Sequence, residues 1–184
     1  MVEFLGFIGS CARTQERNAS SELYYLLSEL LGYQNVDVYP DSAISGLIIA
    51  KFEEDPINTL QRIDEELEKD RAVLQHTLKL VPIQYRVPTT LEDMRAITKK
   101  FSTKIGEDDT WKVNLRRRHS QFSREEIITN VADEINIGKV MLDNPQHYII
   151  VEILGKWTYF SLSSIAELSV PQDDFSTSEE EFTF

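Results

Sequence analysis

Thr110-Trp111-Lys112-Val113-Asn114-Leu115-Arg116-Arg117-Arg118 alternates apolar and polar residues at period two, the repeat of a half-buried strand. Trp111, Val113 and Leu115 fall on one face, and Lys112, Asn114, Arg116 and Arg118 on the other. The strand therefore buries one face and carries several guanidinium groups to the edge of a sheet. Guanidinium is planar, permanently charged and a paired donor, a chemistry that suits phosphate. A solvated strand end paired with nearby acids has the same spelling. The alternation predicts that Arg116 and Arg118 face a ligand. Arg117 is expected to point with the apolar set, held along its rim by its stem, and to matter more to stability than to binding.

Outward from this strand the pattern stays regular. Ser123 and Glu126 have the spacing of a capping box, and Ile127, Ile128, Val131 and Ile135 form the stripe of the helix behind it. Asn144-Pro145 turns the chain, and Gly155-Lys156 is a two-residue hairpin signal between the last two strands. On the other side, Thr89 and Glu92 also have capping-box spacing, ahead of a helix with Leu91, Met94, Ile97 and Phe101 on its buried face. Arg95, Lys99, Lys100 and Lys104 lie on its other face, where lysines near a helix C-terminus are favoured by the dipole in any case.

The segment over residues 116–162 resembles the RNA-binding THUMP domain. The resemblance rests on Arg116-Arg117-Arg118, Ser123-Arg124-Glu125-Glu126-Ile127-Ile128, Val131-Ala132 and Lys139-Val140-Met141-Leu142-Asp143-Asn144-Pro145. Tyr148-Ile149-Ile150-Val151-Glu152-Ile153 and a last strand over 157–162 follow in the family's order. The chain departs at Met141, where an acid is usual, and at Gln146, where aspartate often follows the proline. With the preceding helix, the resemblance covers residues 89–165. It implies RNA contact by Lys112, Asn114, Arg116, Arg117, Arg118, His119 and Lys139, with Lys99, Lys100, Lys104 and Lys156 beside them.

The first half reads β-α-β-β-α-β, the ferredoxin-like order. A strand over 4–8 leads to a Leu23, Leu26, Leu27, Leu30, Leu31 stripe closed by Gly32. Short strands over 36–39 and 47–52 follow. Asp55-Pro56 is a strong helix start, and Ile57, Leu60, Ile63 and Leu67 are the buried stripe after it. A strand over 77–87 closes the unit, where Pro82 predicts an edge or a bulge. The expected fold is α+β: a ferredoxin-like domain over 1–88, a THUMP domain over 89–165 and an acidic, disordered tail over 166–184.

The net charge is −12. Residues 1–88 carry 8 basic and 14 acidic side chains, residues 89–165 carry 11 of each, and residues 166–184 carry 6 acids and no base. The cations thus sit where the RNA-binding resemblance lies, which matters more than the overall sign. One cysteine, Cys11, excludes an intrachain disulfide and is expected to be a small buried residue near a strand end. No apolar run approaches the roughly 20 residues that span a bilayer, so a soluble, cytoplasmic protein without membrane contact is expected.

Chemistry is sparse. No Gly-rich phosphate loop occurs, and His76, His119 and His147 are far apart with no metal-ligand spacing. The expectation is a non-enzyme without cofactor or metal. The resemblance implies more: a stand-alone adaptor that binds tRNA, not DNA, and presents it to a separate tRNA cytidine acetyltransferase for N4-acetylcytidine formation. The alternatives are a ferredoxin-like small-molecule-binding regulatory module, or a subunit of another tRNA-modifying enzyme, for thiolation or methylation.

Overall fold

The computed structural model describes residues 2–172. In chain order the elements are β1 (Val2–Cys11), α1 (Glu16–Tyr25), β2 (Asp37–Pro40), β3 (Leu47–Lys51), α2 (Pro56–Lys69) and β4 (Thr77–Pro88). There follow α3 (Leu91–Ser102), β5 (Thr110–Arg118), α4 (Arg124–Ala132), β6 (Lys139–Val140), β7 (His147–Leu154), β8 (Trp157–Ser163) and β9 (Leu168–Ser169). All nine strands join one mixed sheet in the order β2-β3-β1-β4-β8-β7-β5-β6, with β9 also on β4. β5 runs parallel to β6 and β7; every other pairing is antiparallel.

Local chemistry explains most of the boundaries. Asp55 caps α2 by accepting from the Asn58 amide, with Pro56 at the first position. Ser123 and Glu126 form the full reciprocal capping box of α4. At α3 the expected cap moves by one residue: Thr90, not Thr89, accepts from the Asp93 amide. Thr89 is instead buried, its hydroxyl 2.9 Å from that of Thr158. α1 continues as a π turn over Leu26–Leu30, which keeps Leu26 and Leu27 in the core. Gly6 sits at an irregularity of the β1–β4 pairing, and a Cβ there would lie 1.9 Å from the Ala50 carbonyl oxygen. The close approach of β3 to β1 at this point thus requires glycine.

Pro82 lies inside a strand that is central, not an edge. It pairs with Phe7 of β1, but β8 covers only 85–88 of β4 and β9 only 79–80. The proline falls in the gap, where its missing amide has no ladder partner to fail.

Three apolar clusters hold the sheet. α1 and α2 pack Leu23, Leu26, Leu60 and Ile63 onto Phe7, Ile48, Ala50 and Leu80. α3 and α4 pack Met94, Ile97, Phe101, Ile127 and Val131 onto Trp111, Leu115, Ile149, Val151 and Phe160. The third cluster has no helix: Ile8, Leu47, Ile49, Val81 and Ile83 meet Ile150, Leu154 and Tyr159. The sheet therefore coils until the helix-free faces of its two halves pack on each other. This seam fixes where the end of β5 points. Cys11 is buried at the end of β1, and burial, with Glu16 and Glu22 nearby, pushes its thiol up.

The expected tail is corrected at its start. β9 pairs with Lys79 and Leu80, Val170 is buried in the first cluster, and the Gln172 amide reaches the Thr77 carbonyl. Residues 166–172 are thus built into the fold, because Leu168 and Val170 supply apolar side chains to the N-terminal core. The rest of the expected tail, 173–184, lies outside the described residues. Among the described residues no helix is long and apolar enough to cross a membrane.

Candidate nucleic-acid interface

β5 keeps the expected alternation to its last residue. Trp111 and Leu115 are buried against α3 and α4, and the Trp111 indole donates to the Ile137 carbonyl at 2.9 Å. Arg116 and Arg118 project from the opposite face together with Lys112 and Asn114. At the Arg116–Arg118 end that face is the seam, so Arg116 and Arg118 lie among acids, and Arg117, expected along the apolar rim, is the exposed member of the three. Glu152 on β7 is the register partner of Arg116 and is only 3% exposed. Its carboxylate lies 3.8 Å from Arg116 and 3.5 Å from Arg118. Glu167 bridges to Arg116 and, at 2.8 Å, to Lys79 of β4. The cleft among Ile8, Ser10, Leu47, Lys79, Arg118 and Glu152 has a volume of about 10 Å³, room for about one water.

Burial dominates the charge of Glu152 and pushes its carboxyl up to about 7, against the pull of Arg116 and Arg118. For Glu167 burial also opposes ionisation, but the hydrogen bonds from Lys79 and Arg116 outweigh it and hold the carboxyl below its ordinary value. Neither Glu152 Oε2 nor Arg118 Nη1 has a hydrogen-bond partner among the described residues, so this is a charge pairing without full hydrogen bonding.

Arg117 is the exposed member of the three. Beside it, exposed His119 adopts a left-handed backbone (φ 55°) that turns the chain out of the strand. The β7–β8 hairpin docks against this turn through Gly155 N–H to the Arg118 carbonyl, and Thr89 N–H donates to the Lys156 carbonyl, both at 2.9 Å. An open concavity of roughly 440 Å³ results, lined by Thr89, Thr90, His119, Gln121 and Lys156. Close by, Arg86 stacks over the Trp157 ring with its guanidinium carbon 4.4 Å from the centroid.

The remaining predicted residues gather at the other end of β5, roughly 26 Å away at the usual strand rise. Lys139 is exposed on β6, and Lys112 donates to the Leu142 carbonyl at 3.0 Å. Lys99, Lys100 and Lys104 are exposed towards the C-terminus of α3, Lys100 lying 4.3 Å from the Tyr85 ring centre. Val140, Met141 and Leu142 project here, 63%, 44% and 72% exposed. Gly138 lets this loop close on β5, since a Cβ would lie 2.6 Å from the Asp109 carbonyl oxygen. The predicted set is thus divided into two ends and a seam. Sequence reasoning missed Lys79, Glu152 and Glu167 in the seam, and Gln121 and Thr90 in the concavity. Glu152 had a signal: it is the lone acid in an apolar strand beside an arginine strand.

The basic strand, helix, edge loop and closing hairpin match a known family over residues 88–163, described as the THUMP domain. This segment is a THUMP domain. No curated protein sequence matches the chain. Among solved structures, PH1313 from Pyrococcus horikoshii OT3 is 19% identical with a TM-score of 0.59, over 90% of this chain and 55% of that one. TrmN from Thermus thermophilus is 15% identical with a TM-score of 0.54, over 89% and 46%. A 4-thiouridine synthetase in complex with RNA and bound ATP is 14% identical with a TM-score of 0.56, over 90% and 42%. The chain spans about half the length of these proteins. It shares their fold both within the THUMP domain and across the strands that precede it.

Proposed function

We propose that this protein is a cytoplasmic, non-catalytic tRNA-binding adaptor that presents tRNA to a separate modifying enzyme, a cytidine N4-acetyltransferase. The THUMP domain over 88–163 supports the RNA-binding part of this reading; the adaptor role and the acetyltransferase are the proposal's own. The N-terminal half, read as ferredoxin-like from its β-α-β-β-α-β order and its β2-β3-β1-β4 strand order, stiffens the THUMP sheet through the seam. Binding is by shape: basic side chains on a rigid sheet contact phosphates and 2′-hydroxyls of folded RNA with little base readout. The end bearing Arg117, His119, Lys156 and the open concavity is the first contact surface, because among the described residues no acid pairs with its cations as acids do with Arg116 and Arg118.

Gel shift of total tRNA at low and moderate salt tests the binding. Salt-sensitive binding to folded tRNA with a log–log slope of a few units is expected. A flat salt response, or equal affinity for unstructured RNA, contradicts it. Addition of the chain to an acetyltransferase reaction should raise N4-acetylcytidine formation in tRNA; no effect contradicts the adaptor role. A second reading, a subunit serving thiolation, is favoured by the fold shared with the 4-thiouridine synthetase. It predicts stimulation of sulfur transfer instead.

A further inference from the structure

The acid that closes the seam comes from residues 164–172, beyond the family match. After β8 the chain turns at Ser163, whose hydroxyl accepts from the Ile165 amide at 3.0 Å, and crosses back to the N-terminal half as β9. Glu167 lies on this crossing. One of its oxygens takes the Lys79 ammonium at 2.8 Å and the other takes the Arg116 guanidinium. Lys79 belongs to the N-terminal half and Arg116 to the THUMP domain, so two cations from opposite sides converge on one carboxylate.

The two cations are not sealed in. The Lys79 side chain is 43% exposed and that of Arg116 35%, whereas the side chain of Glu152 beneath them is buried. Arg118 stands behind, paired among the described residues with Glu152. Without Glu167 the described residues of the cluster set three cations, Lys79, Arg116 and Arg118, against the one acid Glu152, with Lys79 and Arg116 already partly facing solvent. A carboxylate with one charge-assisted donor on each oxygen occupies its cations as the two non-bridging oxygens of a phosphodiester do. Glu167 therefore stands where such a group would bind.

We propose that Lys79 and Arg116 form a phosphodiester site for the RNA backbone that Glu167 fills in the free chain. The 164–172 crossing is then a built-in competitor: RNA binding expels the Glu167 carboxylate and a phosphate takes its two donors, while Glu152 stays as counterion to Arg118. The site rests on the RNA-binding reading for its ligand and lies apart from the open concavity, on the helix-free side of the sheet.

Fluorescence anisotropy with tRNA at two salt concentrations tests this on the full chain. Glu167→Gln should tighten binding about fivefold and steepen the salt slope by about one, because one more phosphate is neutralised. The gain should vanish when Arg116→Ala is combined with it. Glu107→Gln, which removes an exposed charge elsewhere, should leave affinity within about twofold. If Glu167→Gln binds as the native chain does, or keeps its gain without Arg116, the site is overturned while the RNA-binding reading stands. Should Glu167→Gln fail to fold, Lys79→Ala replaces it: binding severalfold weaker supports the site, and unchanged binding refutes it. If no variant binds tRNA, the RNA-binding reading fails, and titration of labelled protein with inorganic phosphate decides the site. A saturable shift of the Arg116 Nε resonance in Glu167→Gln, absent from the native chain, supports it; no shift overturns it.

Discussion

The seam and the open end take their arginines from the same three residues and use them differently. Arg116 and Arg118 turn towards a second layer of the sheet and meet Glu152 and Glu167. Arg117, between them, turns the other way and is exposed. One peptide step separates a cation set against acids from one that is exposed to solvent. A cluster of positive charge in a sequence is thus not a binding patch until the opposite face of its strand is known.

The largest expected effect lies in the seam. The Glu152 carboxyl moves from its ordinary 4.5 to about 7 on folding, so between these values the folded state keeps a proton that the unfolded chain loses. Stability should therefore be greatest below pH 4.5 for this group, decline as pH rises to about 7 and level off above, by on the order of 3 kcal/mol. Urea titrations from pH 5 to 8 on native and Glu152→Gln chains check this; the variant should lose that part of the slope. An unchanged slope would mean that the two arginines keep Glu152 ionised throughout.

At the open end the expected effect is smaller and falls on binding. His119→Ala with Lys156→Ala should weaken tRNA binding by about 1–2 kcal/mol and leave the melting temperature nearly unchanged. A matching loss from Lys112→Ala with Lys139→Ala would move the principal contact to the opposite end of β5. Smaller again is the cap behind the concavity. Thr90→Ala should cost about 1 kcal/mol of stability through the lost α3 cap. An equal effect of Thr89→Ser, which keeps the hydroxyl that meets Thr158, would show that the residue at 89 matters for its methyl packing.

Much of this architecture was legible in the sequence. The strand alternation of β5, the capping box at Ser123 and the Asp55-Pro56 start are local signals, and they appear as read. What the sequence did not yield is long-range. Which face of β5 meets a second apolar face depends on the coiling of a nine-stranded sheet, and that coiling brings Ile150 and Tyr159 over Ile8 and Ile49. Glu152 sits 34 or more residues from its arginines and Glu167 still farther, so no spacing rule links them. The β9 crossing was missed because two strand residues and Val170, in an acidic context, carry no period. Thr89 and Thr90 are both plausible caps by composition; only the buried Thr158 hydroxyl decides between them.

The division of the arginines is tested most directly by measuring urea stability and tRNA affinity together for Arg117→Ala and Arg118→Ala at pH 8. Arg118→Ala leaves the buried Glu152 short of a counter-charge and should cost about 3–5 kcal/mol of stability, while leaving the exposed Arg117 surface in place. Arg117→Ala should leave stability within about 0.5 kcal/mol and weaken tRNA binding by roughly 1 kcal/mol. If Arg117→Ala is the destabilising variant and Arg118→Ala the one that loses tRNA, the two faces of the strand have been exchanged and the account is wrong.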